Sequence, residues 1–210
     1  MTVGESYKDR KISVLKEPKQ QRAKIKVAKV LDSAKRLLVF HGLEKLTTNH
    51  IAKDSGVSVG SIYQYFPNKQ SIILKIYLDW LAEVKAEVIP FKEASLAMDA
   101  STLCKSLFRI IYADHIKNTQ DQLLEKELTK AMRLFPELGE VEKQHSSEMI
   151  ALMSDIIGNV LPEYSDEKSI QLAIFFYSLD SSIQQFIELG GDKKLAFDWY
   201  EKVVMETLNF

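Results

Sequence analysis

Residues that make turns are scarce in this chain, and their scarcity limits the possible folds more than any other feature. The 210 residues include 8 glycines and 5 prolines, where average usage would give roughly 25 of the two together. A sandwich or a barrel needs turn residues every few positions, so both architectures are disfavoured. The sequence therefore predicts an all-α protein.

Apolar residues recur at steps of three and four, which places them on one face of a helix. The first stripe predicts a helix from about 21 to 41, followed by Gly42 in a left-handed conformation. A longer stripe predicts a helix from Asn68 to Ile89 that ends before Pro90. Five more helices are expected, at about 101–118, 121–134, 137–159, 166–188 and 193–209.

Two short helices are predicted between the first two long ones, on either side of Gly56. Thr47 or Thr48 can cap the first, and Ser58 can cap the second, which Pro67 stops. Helices of two turns are not stable alone, so they must pack against their longer neighbours.

The spacing within these two helices is that of a helix-turn-helix. Ala52 provides the small residue at the crossing, and Gly56 follows four positions later at the turn. The apolar ties to the neighbouring helices are Ile51, Val57 and Ile62. The second helix then has an exposed side made of Ser58, Val59, Gly60, Ser61, Tyr63, Gln64 and Tyr65.

The near-neutral total charge hides a strong asymmetry. Residues 1–75 contain 15 Lys and Arg against 6 Asp and Glu, a net charge of +9, whereas residues 76–210 have a net charge of −10. A basic end of this kind favours a polyanion partner. Because a helix fits the major groove of B-DNA, we expect that partner to be double-stranded DNA.

The run from Val30 to Tyr77 resembles the N-terminal domain of the TetR family of bacterial transcriptional regulators. The matching segments are Gly42-Leu43, Leu46-Thr47-Thr48, Ile51-Ala52, Gly56-Val57-Ser58, Ser61-Ile62-Tyr63-Gln64-Tyr65-Phe66 and Asn68-Lys69. The resemblance implies a three-helix DNA-binding domain at 22–67, joined by a long helix to a helical ligand-binding and dimerisation domain within 68–210. Residues 1–21 are expected to form a flexible basic arm, either a solvated tail or a contact to the DNA backbone or minor groove.

The resemblance also implies individual roles in DNA binding. Thr47 and Thr48 would bind phosphates, and Lys69 would clamp the DNA backbone. Val59, Gly60, Ser61 and Gln64 would face base edges, with Gln64 the best candidate for a bidentate contact to adenine. Tyr63 and Tyr65 would place phenol groups on phosphates or bases, although both could instead belong to the core.

Two C-terminal segments are suited to pairing with a second copy of the chain. Residues 166–188 are apolar almost all round, and a chain of this size can cover only part of such a helix. Similar TetR proteins dimerise through a four-helix bundle, which implies an interface formed by Phe175, Leu179, Ile183, Phe186, Trp199, Tyr200 and Val203. The alternative is a wholly intramolecular core.

The family typically binds a small ligand among its central helices, which shifts the spacing of the two DNA-binding domains. Candidate lining residues, with ordinary core as the alternative, are Trp80, Phe108, Tyr112, Met132, Phe135, Met149, Met153 and Phe176. Because residues 76–210 are acidic, an apolar or aromatic ligand is expected rather than a polyanion, and a cationic lipophile would also fit.

The sequence predicts neither an enzyme nor a metal or cofactor site. The four histidines lie on different predicted helices without metal-ligand spacing. No apolar run approaches the roughly 18 residues of a membrane span. The single cysteine, Cys104, excludes a disulfide within the chain and fits a reducing compartment, so a cytoplasmic protein is expected. We predict a homodimeric repressor that binds a palindromic operator and is released by a ligand. The alternatives are a global regulator or activator without an inducer, and a ligand-binding protein that has lost DNA binding.

Overall fold

The computed structural model describes residues 18, 20–109 and 119–208, with the backbone alone at 104, 107–109, 119 and 188. All regular structure in these ranges is helical, which confirms the all-α prediction. The helices are α1 (Gln21–Lys45), α2 (Thr48–Ser55), α3 (Val59–Tyr65), α4 (Lys69–Ala94), α5 (Ala100–Arg109), α6 (Thr119–Leu134), α7 (Pro136–Val160), α8 (Asp166–Glu188) and α9 (Lys193–Thr207). Most of the predicted basic arm, and residues 110–118 of the helix predicted at 101–118, lie outside the described ranges.

The helices group into two compact units. The described part of the first unit comprises residues up to 81 together with 119–142, and that of the second comprises 82–109 together with 143–208. The first unit thus includes α6 and half of α4 in addition to α1, α2 and α3. The domain boundary expected at residue 68 stays a prediction.

The core of the first unit is what holds the two short helices in place. Ile51 of α2, Ile62 of α3 and Phe66 just after α3 are fully buried, together with Leu38 of α1 and Ile76 of α4. Burying a side chain of this size contributes about 1.5–3 kcal/mol. Tertiary packing therefore supplies the stability that helices of seven and eight residues lack by themselves.

The second unit is built on α8 and α9, which are each buried on one face and exposed on another. The buried faces carry Ala173, Phe176, Tyr200 and Val204, all at most 1% exposed. Outside these buried positions, the two helices carry apolar residues that are 40–52% exposed, namely Ile170, Ile174, Phe175, Leu195 and Trp199. We call this second set the exposed apolar face.

Helix α4 differs from its prediction, because it continues through Pro90 for another turn. Proline cannot donate the backbone hydrogen bond of an interior helix position. Contacts beyond it hold the last turn instead. Phe91 packs against the second unit's core, Lys92 pairs with Asp155 at 2.6 Å, and the Asn159 amide donates to the Lys92 carbonyl. A prediction of the helix end from the position of the proline alone could not take these contacts with α7 into account.

The break at Gly42 is confirmed, although the chain resumes a helical turn as far as Lys45. Gly42 has φ 76° and ψ 167°, a conformation that is open essentially to glycine alone. A Cβ atom at this position would also lie 3.3 Å from the Oε2 atom of Glu127 on α6. The backbone conformation therefore requires glycine here, and a Cβ atom would also press against the Glu127 carboxylate.

In the described ranges, no helix combines the length and the apolar composition needed to cross a lipid bilayer.

Gly42→Ala is expected to lower the free energy of unfolding by roughly 1–3 kcal/mol, because alanine must adopt a conformation that disfavours a side chain. Urea titration followed by circular dichroism measures the loss. Gly139→Ala is the matched control, since Gly139 lies inside α7 with open space around its Cβ position. Equal stability of wild type and Gly42→Ala would contradict this account.

Candidate nucleic-acid interface

The start of α2 brings two threonines to the surface. Thr47 is the N-cap, and its hydroxyl accepts a hydrogen bond from the backbone N–H of His50 at 3.1 Å. The hydroxyl of Thr48 lies 3.1 Å from the phenol oxygen of Tyr63 on α3. The two short helices are therefore joined by a polar contact at the end where Thr47 and Thr48 were predicted to meet phosphates.

The turn between α2 and α3 has the geometry that its sequence predicts. Gly56 ends α2 with φ 68°, in the left-handed region. Nothing lies within 4 Å of its Cβ position, so the backbone conformation and not the available space requires glycine. Ser58 then caps α3, because its hydroxyl accepts from the Ser61 N–H at 3.3 Å.

Helix α3 separates its residues into a buried and an exposed side. Ile62 is completely buried, whereas Ser58, Gly60 and Gln64 are exposed. The remaining predicted contact residues are partly buried, namely Val59, Ser61, Tyr63 and Tyr65. Tyr65 packs against the core of the first unit, so it combines a structural contact with a partly open ring. A seven-residue helix thus presents a mainly polar surface that includes one long amide side chain, that of Gln64.

Lys69 begins α4 with its ammonium group anchored on the protein. Its Nζ atom donates to the backbone carbonyl oxygen of Leu43, just after the break in α1, at 3.2 Å. Partial burial of this ammonium lowers the pKa of Lys69. The side chain of Asn68 caps the same helix end by accepting from the Ser71 N–H at 2.8 Å.

Glu127 of α6 was not predicted to contribute to this region, yet its side chain also contacts the backbone of Leu43. Its Oε2 atom accepts from the N–H of Leu43 at 2.7 Å, and its Oε1 atom pairs with Lys130 at 2.8 Å. Burial raises the pKa of Glu127, but the hydrogen bonds from Lys130 and Leu43 outweigh it, so the pKa is lowered. The sequence does carry a signal, because Glu127 shares an apolar helical face with Leu128 and Ala131.

An exposed ion pair and a basic cleft are formed by residues of α1 and α2. Arg36 of α1 pairs with Asp54 of α2 at 2.6 Å, and hydrogen bonds from Ser33 and Arg36 lower the pKa of Asp54. The cleft has a volume of about 540 Å³. It is lined by Leu37, His41, Lys45, His50, Lys53 and Asp54.

Of the eight residues predicted to line a ligand site, the six whose side chains are described are divided between the two units. On the core of the first unit lie Trp80, Met132 and Phe135. Buried in the second unit are Met149, Met153 and Phe176. The side chains of Phe108 and Tyr112 lie outside the described part of the chain.

The seven residues predicted to form a dimer interface differ in how accessible they are. Phe175 and Trp199 are 44% and 52% exposed. Leu179, Phe186 and Val203 are partly buried, and the Phe186 ring lies 5.8 Å from the Trp199 ring, between centroids. Ile183 and Tyr200 are buried within the chain's own second unit, at 9% and 1% exposure, because α8 and α9 both contribute these side chains to its core.

Comparison with known proteins places this geometry in a family context. Residues 30–76 match the model of the bacterial regulatory proteins of the tetR family. The chain is 24% identical over 195 residues to the fatty acid metabolism regulator protein of Bacillus subtilis (strain 168), which covers 90% of this chain and 96% of that protein.

Two solved structures have the same fold. A TetR transcription regulator from Haloarcula marismortui ATCC 43049 superposes with a TM-score of 0.71 at 13% identity, covering 86% of this chain and 95% of that one. The fatty acid degradation regulator FadR from Bacillus halodurans gives a TM-score of 0.62 at 19% identity, covering 90% and 96%. The matched family and these relatives are transcription regulators and not enzymes.

The lowered pKa of Glu127 predicts a pH-dependent contribution to stability. The ionised carboxylate stabilises the fold fully above the ordinary pKa of 4.5, and this contribution is lost as the pH falls through the lower pKa of the folded protein. The stability difference between wild type and Glu127→Gln should therefore be largest near about pH 6 and shrink below about pH 4. Urea titrations across this range measure it, and a difference independent of pH would contradict the assignment.

Proposed function

Because the chain belongs to the TetR family of bacterial regulatory proteins, we propose that it represses transcription by occupying a palindromic operator as a homodimer. Family membership makes it a transcriptional regulator with a DNA-binding domain. Operator binding blocks transcription, and a small ligand relieves the block.

The observation that supports DNA reading most strongly is the two-sided character of α3. Its buried side is fixed to the core by Ile62, and its exposed side offers the Gln64 amide. An amide can bond both the N6 and the N7 atoms of adenine in the major groove. Two groups of predicted phosphate contacts lie on either side of α3 in the sequence, namely Thr47 and Thr48 at the start of α2 and Lys69 at the start of α4. Phosphate contacts from these residues would set the register of α3 on the DNA.

The exposed apolar face of α8 and α9 supports the dimer. Five large apolar side chains of these two helices are 40–52% exposed, and two of them, Phe175 and Trp199, were predicted to form the interface. A twofold-symmetric dimer presents two copies of α3 and therefore reads two half-sites of a palindrome. We accordingly place the second copy of this chain on that face.

An apolar ligand is the class that the composition favours. The relative from Bacillus subtilis is named for fatty acid metabolism, and residues 76–210 of this chain have a net charge of −10, which disfavours a polyanion. Relief of repression requires the ligand to prefer the state that does not bind DNA. A preference of about 10⁴-fold would convert a 1:99 population into 99:1.

Gln64→Ala is expected to relax the preference at a single base position and to cost about 1–3 kcal/mol on the best operator, because the bidentate contact is lost. Binding measured on a panel of single-base operator variants tests this. Urea stability should be nearly unchanged, since Gln64 is exposed. An equal loss of affinity on every sequence would remove Gln64 from base recognition.

Lys69→Ala is expected to weaken binding to all sequences similarly, because a phosphate contact carries no sequence information. The slope of log K against log salt should become shallower by about 0.9. Lys194→Ala is the control, since Lys194 is an exposed lysine of α9 that pairs with Asp198. An unchanged slope in Lys69→Ala would show that Lys69 does not contact phosphate.

A further inference from the structure

We infer that Glu127 of α6 is a positioning residue for DNA binding, acting on Lys69 through the backbone of Leu43. The carboxylate fixes the N–H of Leu43, and the carbonyl oxygen of the same residue holds the Lys69 ammonium. This inference rests on the proposed function, because Lys69 is the side chain assigned there to the DNA backbone.

The first contact fixes the backbone directly after the break in α1. Leu43 follows Gly42, where the backbone leaves helical geometry, and its side chain is 3% exposed. A buried backbone N–H needs a hydrogen-bond acceptor. The Oε2 atom of Glu127 fills this need at 2.7 Å, and a hydrogen bond to a charged acceptor is stronger than one between neutral groups.

The second contact anchors the Lys69 side chain on this fixed backbone. Its Nζ atom donates to the Leu43 carbonyl oxygen at 3.2 Å. An ammonium has three N–H donors, so one bond to the protein leaves two for a phosphate. A lysine stem that is already anchored has less rotamer freedom to lose when DNA binds, which favours the contact.

Glu127 is otherwise in an unfavourable place for a carboxylate, which argues that its contacts maintain a specific arrangement. The residue is 8% exposed and lies on the apolar face of α6 beside Leu128 and Ala131. A buried charge is costly unless it is paired and hydrogen-bonded. Here Lys130 satisfies Oε1 and Leu43 satisfies Oε2, so the two oxygens have separate partners.

The test compares the salt dependence of DNA binding among variants of the full chain. Glu127→Leu removes the acceptor at similar size, and Glu127→Gln keeps an oxygen that can accept from Leu43. The slope of log K against log salt in Glu127→Leu should become shallower, to about that of Lys69→Ala, whereas Glu127→Gln should keep the wild-type slope. Lys130→Ala removes the other partner of Glu127 and should also keep the wild-type slope.

A double-mutant cycle separates positioning from general stability. Adding Glu127→Leu to Lys69→Ala should cause no further change in slope, because the group that Glu127 positions is already absent. If Glu127→Leu does not fold, as judged by circular dichroism, Glu127→Asp replaces it. This variant keeps the charge but withdraws the carboxylate by one methylene, and it should flatten the slope in the same way.

Two results would overturn the inference, and they are distinguishable. A wild-type slope in folded Glu127→Leu, with a shallower slope in Lys69→Ala, would make Glu127 purely structural while leaving the role of Lys69 intact. An unchanged slope in Lys69→Ala would refute the phosphate contact in the proposed function, and the positioning role would fail with it.

Discussion

The burial of three apolar side chains around the two short helices is the constraint on which the rest of the first unit depends. Ile51, Ile62 and Phe66 are completely buried, and without that burial helices of seven or eight residues would not persist in water. The same burial settles which side of α3 faces outward. Packing of the apolar side chains therefore orients α3, and the polar residues of the helix face outward as a consequence.

Fixed backbone positions complete this arrangement at the ends of the helices. Gly56 makes the turn between α2 and α3, and Gly42 makes the break at which α1 meets α6. The Gly42 break exposes the N–H and the carbonyl of Leu43 to two charged side chains from different helices, Glu127 and Lys69. The break at Gly42 thus determines where Glu127 and Lys69 contact the backbone.

Much of this arrangement could be predicted from the sequence, because it is encoded locally. The caps at Thr47 and Ser58, the turn at Gly56 and the burial of Ile62 all follow from residue type and spacing, and the structure confirms them. The expected role of this motif in DNA binding comes from the likeness to known regulators, because a fold does not by itself determine a function.

The features that could not be predicted depend on residues distant in the chain. Helix α4 passes through Pro90, and the turn beyond it is in contact with α7 through the pair of Lys92 and Asp155, more than 60 residues apart. Leu43 meets Glu127 at a separation of 84 residues. Helical periodicity reports only which face of a segment is apolar. It does not report which other helix covers that face, as the burial of Tyr200 within its own chain illustrates.

The most direct test of the central claim, that this chain reads DNA sequence as a dimer through α3, is a binding selection from fragmented genomic DNA. The purified full chain would be used at physiological salt, before and after removal of any bound small molecule. The account predicts enrichment of a palindromic motif whose half-sites are centred about one helical turn, or a multiple of it, apart. Retention of fragments without a common motif, or no retention after the small molecule is removed, would contradict it.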